Sequence, residues 1–207
     1  MLKRFFDLIV AFTALIFLMP LFAAIAVTIL VADGQPVLFR QKRLGKRMQS
    51  FEILKFRTMT NDPRQYDAKD TFTPDNHRVT RVGKFLRSSS LDELPNLLNV
   101  VKGDMSIVGP RPLLVHYKDL YYGDQARRHE VKPGITGKAQ ISGRNAVSWE
   151  ERFRFDVDYV DTRSFFGDLK ILMETIFVVL RRDGIGSGDN MTGAPFLGKP
   201  DSKGGGT

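Results

Sequence analysis

The sequence predicts an apolar membrane segment at its N-terminus and, after it, a cytosolic domain of helices and short strands. Two observations support this prediction: residues 8–32 contain no charged side chain, and the remaining chain carries short strand patterns among longer helical ones. The 207 residues suffice for one domain of ordinary size with a membrane attachment. Because 43% of the residues are hydrophobic and 26% are charged, the composition is that of a globular protein and excludes wholesale disorder.

The uncharged segment has three interpretations: a cleaved signal peptide, a kinked single span and a re-entrant hairpin. As a helix, residues 8–32 would extend for about 37 Å, longer than a bilayer core of roughly 30 Å, and no clear A-x-A site follows, which disfavours the signal peptide. Pro20 stands at the middle, where it breaks or kinks a helix. Basic residues flank both ends, and the positive-inside rule then places both ends in the cytoplasm. These features favour the hairpin, while the kinked span stays open.

The domain after this segment is predicted to contain two strands and four helices. Strand patterns occupy residues 37–40 and 51–55, on either side of a turn. Helical patterns occupy residues 81–87, 94–102, 149–159 and 169–180. The last is either a core helix or an amphipathic helix at the membrane surface, and base rates favour the core. Loops are expected at residues 60–76 and 134–143, and a disordered tail from residue 184 onward.

The charge and the missing motifs limit the classes of function. A net charge of +8 suggests nucleic acid, a phospholipid surface or phosphorylated substrates as partners. Nucleic acid is disfavoured because the basic residues stand beside prolines, glycines or the apolar segment and not among aromatic platforms. The chain has no cysteine, no metal-ligand spacing among its three histidines, and no P-loop, G-x-G-x-x-G or G-x-S-x-G motif.

A pair of carboxylates, Asp92 and Glu93, is the strongest candidate for chemistry. One interpretation is structural: Ser90 and Glu93 form a capping box at a helix start, as a non-catalytic membrane scaffold would also use them. The other is catalytic, because a carboxylate near cations and a helix start stays ionised and can act as a nucleophile or bind Mg²⁺. Arginines beside proline or glycine suit phosphate oxygens. The candidate phosphate-binding residues are Lys55, Arg57, Arg87, Arg111 and Arg144.

Six motifs follow one another through residues 2–182, and their ordered set resembles the monotopic phosphoglycosyl transferases, the bacterial sugar transferase family. They are Lys3-Arg4-x-x-Asp7, Lys55-Phe56-Arg57-Thr58-Met59, Arg87 with Ser90-Leu91-Asp92-Glu93-Leu94-Pro95, Gly103-Asp104-Met105-Ser106-Ile107-Val108-Gly109-Pro110-Arg111-Pro112, Lys132-Pro133-Gly134-Ile135-Thr136-Gly137 and Gly143-Arg144-Asn145. Each motif alone is weak, and the set is specific. The short length is similar to the small members, such as the Campylobacter enzyme of N-linked protein glycosylation. Met19 precedes Pro20, where the family often has serine.

The resemblance implies a helix-rich α+β fold with a re-entrant membrane helix. That helix would occupy residues 1–34 and break at Pro20, a catalytic domain with interfacial amphipathic helices would occupy residues 35–183, and a disordered tail residues 184–207. The protein would be monotopic and lie at the cytoplasmic face of the inner membrane.

The resemblance also implies the reaction, in which a sugar 1-phosphate moves from a UDP-sugar to polyprenyl (undecaprenyl) phosphate with release of UMP. Asp92 would be the nucleophile, hold Mg²⁺ and form a covalent aspartyl-phosphosugar intermediate, while Glu93 would position or deprotonate the acceptor. The partners would be the two substrates, membrane phospholipid and downstream glycosyltransferases, without nucleic acid. An N-acetylated UDP-hexosamine donor is suggested by the resemblance alone.

Overall fold

The structure, a computed structural model, describes residues 2–60, 78–143, 147–181 and 196–198. In these ranges helices dominate over two small sheets, which confirms the predicted helix-rich α+β fold. Arg144, nearly all of the loop predicted at residues 60–76 and most of the predicted tail lie outside the described residues.

The apolar segment forms one long helix, α1 (Leu2–Asp33), the only helix among the described residues that is long and apolar enough to cross a membrane. The helix continues through Pro20, where we expected a break; a proline removes one main-chain hydrogen bond, and the neighbouring bonds hold the helix together. The re-entrant path therefore stays a prediction. One face of α1 packs on the domain through Ala11, Ile25 and Ile29, whereas Phe17 and other apolar residues are exposed.

The predicted strand pair is an antiparallel hairpin of β1 (Leu38–Leu44) and β2 (Ser50–Phe56). The buried side chain of Asn99 fastens this hairpin to the helix beside it. Its Oδ1 accepts a hydrogen bond from the Leu54 main-chain nitrogen at 3.0 Å, and its Nδ2 donates to the Glu52 carbonyl oxygen at 2.7 Å. The edge of β2 is thereby satisfied by a side chain where no third strand pairs with it.

Two of the predicted helices follow the hairpin, α2 (Arg81–Ser88) and α3 (Asn96–Lys102). Thr80 caps α2, because its Oγ1 accepts a hydrogen bond from the Gly83 main-chain nitrogen at 2.9 Å. Gly103 ends α3 as predicted, in the left-handed conformation with φ 99°. Both helices lie within two residues of their predicted bounds.

The glycine-rich segment at residues 134–143 is more regular than the loop we expected. It contains β4 (Gly134–Thr136), which pairs in parallel with β3 (Ser106–Val108), and a short helix, α4 (Lys138–Ile141). A Cβ at Gly134 would lie 2.1 Å from the main-chain nitrogen of Gly109. Only glycine therefore allows these two main-chain segments to approach so closely. Strands of three residues are too short to show a periodic pattern.

The last two helices are α5 (Trp149–Thr162) and α6 (Phe165–Arg181). α6 buries Asp168 and Ile171 on its inner face. The prediction of a core helix is therefore correct for that face only. The outer face is apolar and exposed. Its exposed residues are Phe166, Leu169, Met173, Ile176 and Phe177.

An aromatic cluster joins the start of α5 to the segment before it and to the C-terminal residues that the structure describes. Its members are Tyr117, Tyr121, Trp149, Phe153 and Phe196. The ring centroids of Phe153 and Phe196 lie 4.9 Å apart in an edge-to-face arrangement, and the Phe196 main-chain nitrogen donates to the Tyr117 hydroxyl at 3.3 Å. Residues 196–198 are thus held against the domain.

Both ends of α1 are fixed to this one domain. At the first end, Lys3 Nζ donates to the Asp168 carboxylate at 2.6 Å, and the Arg4 guanidinium donates to two carbonyl oxygens of α3 at 2.6 and 3.0 Å. At the other end, Arg57 just beyond β2 donates to the Asp33 carbonyl oxygen at 2.6 Å. The helix therefore lies along the domain and does not project from it.

Gly83 provides a test of the packing between α2 and the end of β2. A Cβ at this position would lie 2.0 Å from the Thr58 carbonyl oxygen, and main-chain atoms cannot move aside cheaply. We expect Gly83→Ala to lower the free energy of unfolding by about 1–3 kcal/mol in a thermal or chemical denaturation experiment. Lys84→Ala, on the exposed side of the same helix, is the control and should change it by less than about 0.5 kcal/mol. Equal stability of the two variants would contradict the close contact.

His129 makes the stability of the fold depend on pH. Its Nδ1–H donates to the Gly45 carbonyl oxygen at 3.0 Å, and its buried Nε2 lies 3.1 Å from the Tyr121 hydroxyl, which can donate to it when the ring is neutral. Burial, and next the charge of Arg128, lowers the pKa of His129 from 6.5 to about 4. As the pH falls, the imidazole of His129 takes up a proton in the unfolded chain before it does so in the folded protein. The contribution of the neutral His129 to the free energy of unfolding is therefore fully present above the unfolded pKa and is lost as the pH falls toward the folded pKa.

We expect the free energy of unfolding of the wild type to fall by about 1.4 kcal/mol per pH unit more than that of His129→Gln between the two pKa values. Denaturation curves at closely spaced pH values measure this difference. His116→Gln, at an exposed position, serves as the control and should keep the slope of the wild type. Identical slopes for the wild type and His129→Gln would contradict a neutral buried imidazole.

Candidate active site

Asp92 and Glu93 lie in a short 3₁₀ turn, Leu91–Glu93, between α2 and α3. Ser90 before it adopts the left-handed conformation with φ 58° and caps nothing with its side chain, so the capping box that the sequence suggested is absent. A non-glycine residue in this conformation is uncommon, and such strain concentrates at functional sites. The turn is instead held by the contacts that the Glu93 carboxylate makes with Lys55 and Arg111.

The Glu93 carboxylate is fixed by two cations from distant parts of the chain. Lys55 Nζ of β2 donates to it at 2.6 Å, and Arg111, which follows β3, donates to it through both terminal nitrogens at 2.7 and 3.4 Å. Burial alone would raise the pKa of Glu93, but the charges and hydrogen bonds of Arg111 and Lys55 outweigh burial and hold the pKa well below its usual range. Glu93 is therefore a fixed anion.

The Asp92 carboxylate is in a different situation, although it is adjacent in sequence. It is buried, with 9% of the residue exposed, and no described residue donates a hydrogen bond to it. Burial, assisted by the negative charge of Glu93, raises its pKa, while Lys55, Arg111 and Arg87 oppose that rise. A buried carboxylate without a donor is free to bind a cation or to react, and its raised pKa makes it the more basic of the two.

The other predicted phosphate-binding residues are not all brought to this place. Arg87, at the end of α2, donates through Nε to Thr58 Oγ1 at 3.0 Å and lies close enough to lower the pKa of Asp92. Arg57 is turned toward the end of α1, where its guanidinium binds carbonyl oxygens, so the structure does not join it to the carboxylate pair. The role predicted for Arg144 stays a prediction, because that residue lies outside the described part of the chain.

A buried ion pair that the sequence did not reveal holds the main chain of Arg111 in place. Arg128 and Asp156 are almost wholly buried, and their side chains approach to 2.7 Å. Arg128 also donates to the Arg111 carbonyl oxygen at 2.7 Å, so a buried charge fixes the backbone that presents the Arg111 guanidinium. The partners are distant in sequence, and no local pattern indicates their contact. We treat both as positioning residues.

A small cavity borders the Glu93 side of this cluster and contains a residue that the sequence did not single out, Arg43. Strand alternation could have found Arg43, because it faces the same side of the hairpin as Lys55 once the register is known. Asn96 lines the same cavity, and its Oδ1 is buried with no hydrogen-bond partner among the described residues. Unpaired acceptor oxygens of this kind are unusual in folded proteins and mark places where a ligand fits.

The donor set fits Mg²⁺ only if a substrate shares the ion. Within the described ranges, no group of three or more His, Asp or Glu side chains could hold a metal ion. Glu93 is occupied by two cations, which leaves the Asp92 carboxylate as the oxygen donor of the pair. Mg²⁺ is typically held by one or two carboxylates together with substrate phosphates, so this set is sufficient in that arrangement.

Comparison with known proteins gives one consistent family. A family model described as "Bacterial sugar transferase" matches residues 1–182. The chain is 52% identical to the "Uncharacterized sugar transferase EpsL" of Bacillus subtilis over 204 residues, which are 97% of this chain and 98% of that protein. All the candidate residues above lie inside the matched part of the chain.

Two relatives whose names state a reaction are considerably longer. The "Undecaprenyl-phosphate galactose phosphotransferase" of Salmonella typhimurium is 40% identical over 197 residues, 88% of this chain and 41% of that protein. The "UDP-glucose:undecaprenyl-phosphate glucose-1-phosphate transferase" of Klebsiella pneumoniae is 42% identical over 186 residues, 84% of this chain and 39% of that protein. This chain therefore spans about two fifths of the length of these relatives.

Proposed function

Because the chain belongs to the bacterial sugar transferase family, we propose that it transfers a sugar 1-phosphate from a UDP-sugar to undecaprenyl phosphate and releases UMP. The names of the Salmonella and Klebsiella relatives support this reaction. The observation that carries the proposal is the unequal carboxylate pair, in which Glu93 is held by two cations while Asp92 beside it receives no hydrogen bond from any described residue. Phosphoryl transfer requires this combination of a nucleophile and positioned positive charge.

In the first step, an oxygen of Asp92 attacks the β-phosphorus of the UDP-sugar. An Asp92 O–P bond forms, and the bond from that phosphorus to the oxygen bridging the two phosphates breaks, so that its electron pair leaves with UMP. In the second step, an oxygen of undecaprenyl phosphate attacks the same phosphorus, and Asp92 leaves as a carboxylate. The two steps let a water-soluble and a lipid substrate use one site in turn.

The surrounding residues provide charge and geometry for both steps. Lys55, Arg111 and Arg87 are the cations positioned to neutralise phosphate oxygens. Of the two roles that the sequence left open for Glu93, its lowered pKa favours positioning over proton abstraction, because an anion held by two cations is a weak base. A phosphate acceptor with a pKa near 6 is mostly ionised at neutral pH and needs no base. Mg²⁺ held by Asp92 would, when bound, neutralise further charge on the transferred group.

We propose that the protein is monotopic and lies on the cytoplasmic face of the membrane, with α1 entering and leaving on one side. The contacts at both ends of α1 support this, because a helix crossing the bilayer would place one end out of reach of the domain. The exposed apolar face of α6 adjoins the start of α1, where the rings of Phe6 and Phe165 meet at 5.3 Å. This face would lie at the membrane surface. Such a position places the site beside an acceptor whose polyprenyl tail stays in the bilayer.

The nucleophile is tested with Asp92→Asn in the full chain reconstituted with undecaprenyl phosphate. A screen of UDP-sugars that follows UMP release identifies the donor for the wild type, and we expect the variant to lose at least about 10³-fold of that rate. Without acceptor, intact-mass measurement of the wild type should detect one phosphosugar adduct, which the variant lacks. Asp119→Asn, at an exposed position, should behave as the wild type. Undiminished UMP release by Asp92→Asn would rule out the covalent step.

The topology is tested by labelling single cysteines, which the absence of native cysteine makes unambiguous. We expect Leu2→Cys and Ser50→Cys, one at each side of the apolar segment, to react with a membrane-impermeant reagent only after the cells are opened. Adding Pro20→Ala to Leu2→Cys should favour a straight span and expose position 2 to the outside. Labelling of Leu2→Cys in intact cells without Pro20→Ala would contradict a monotopic protein. Unchanged labelling with Pro20→Ala would show that the proline does not cause re-entry.

A further inference from the structure

Arg43 and Lys55 lie on the same face of the β1–β2 hairpin. Arg43 pairs with Phe51, and alternate residues of β2 share a face, so Ile53 and Lys55 project on the same side as Arg43. Arg40, on the same strand, belongs to the opposite face, where it forms an exposed ion pair with Glu52 at 3.9 Å. The two arginines of β1 therefore have different surroundings although only three positions separate them.

Main-chain pairing also holds Arg43 beside Arg111. The end of β1 forms a bridge with the chain just after Arg111, in which the Leu44 nitrogen donates to the Leu113 carbonyl oxygen at 2.9 Å. Burial and the charge of Arg111 lower the pKa of Arg43 to about 10. Backbone geometry thus keeps the guanidinium groups of Arg43 and Arg111 close together. Their mutual repulsion makes this arrangement unfavourable in electrostatic energy.

The Arg43 guanidinium has no anionic partner among the described residues. One terminal nitrogen donates to Gln41 Oε1 at 2.6 Å, whereas Nε is buried without a hydrogen bond. The cavity at this place is lined by three cations and a single carboxylate, and that carboxylate, Glu93, is bound by the other two cations. Asp92 acts on Lys55 and Arg111, but it does not line this cavity and is not among the groups that act on Arg43. Because buried charges are normally paired, the Arg43 guanidinium indicates that a further anion belongs here.

We propose that Arg43 is a further phosphate-binding residue of the active site, which holds a phosphate oxygen of a substrate between itself, Lys55 and Arg111. This inference rests on the proposed function for the identity of the substrate, while the anion site itself follows from the charges. The cavity volume is about 20 Å³, which accommodates one oxygen atom, so the rest of the phosphate group would lie at its mouth. The forked guanidinium suits this contact better than an ammonium group.

The anion site is tested with inorganic pyrophosphate as the probe and the full chain in lipid nanodiscs. We expect pyrophosphate to raise the melting temperature of the wild type and of Arg40→Gln, the control on the opposite face of β1, but not that of Arg43→Gln. Without pyrophosphate, Arg43→Gln should melt no lower than the wild type, because the substitution removes an unpaired charge that Arg111 repels. A pyrophosphate shift that is equal in Arg43→Gln and the wild type would overturn the proposal.

Kinetics then identify which substrate supplies the phosphate oxygen. Loss of one charge-assisted hydrogen bond should raise the KM by about 10- to 100-fold in Arg43→Gln, for the UDP-sugar if its diphosphate is bound or for undecaprenyl phosphate if the acceptor is bound. Arg43→Lys keeps the charge but not the forked guanidinium, so its KM should lie between the KM of the wild type and that of Arg43→Gln. Unchanged KM values for both substrates would overturn the role of Arg43. A wild type that binds pyrophosphate but releases UMP from no UDP-sugar would instead refute the proposed function and leave the anion site standing.

Discussion

The position of the Glu93 carboxylate between Lys55 and Arg111 is the contact on which the arrangement of the site depends. Lys55 belongs to β2, Arg111 to the chain that leaves β3, and Glu93 to the turn between α2 and α3, so one anion joins three segments that are distant in sequence. The same contact removes Glu93 from proton chemistry by holding its pKa down, while the adjacent carboxylate of Asp92 receives no hydrogen bond from the part of the chain that the structure describes. Two neighbouring acids thereby acquire different properties from their surroundings alone.

A buried polar network joins the apolar helix α1 to β3, the strand that precedes Arg111. The Asp7 carboxylate of α1 accepts hydrogen bonds from Ser106 Oγ at 2.9 Å and from the Ile107 main-chain nitrogen at 3.1 Å, both in β3. Tyr159 continues the network, since its hydroxyl lies 3.1 Å from the Val108 carbonyl oxygen. The strand that leads to Arg111 is therefore fixed by the same apolar helix whose length and composition fit membrane association.

Elements with a long periodic pattern were predictable from the sequence, and so was the carboxylate pair. What could not be predicted depends on tertiary contacts. Ser90 and Glu93 have the local signature of a capping box, but two distant cations bind Glu93 more favourably than the helix start does. Arg57 stands two residues after Lys55, yet it lies beyond the end of β2 and turns to α1. Arg43 becomes recognisable only when the register of the hairpin is known.

The aromatic cluster contains an intrinsic fluorophore. Trp149 is the only tryptophan of the chain, and it lies between two groups that influence indole emission, the guanidinium of Arg152 at 4.4 Å from its ring and the ring of Phe196 at 5.5 Å. Tyr121, which contacts Phe153 and Phe196 in the same cluster, accepts a hydrogen bond from Arg128, and Arg128 supports the backbone of Arg111. Light emitted by a single native residue thus originates in the cluster that adjoins the support of Arg111, and it can be followed without attaching a dye.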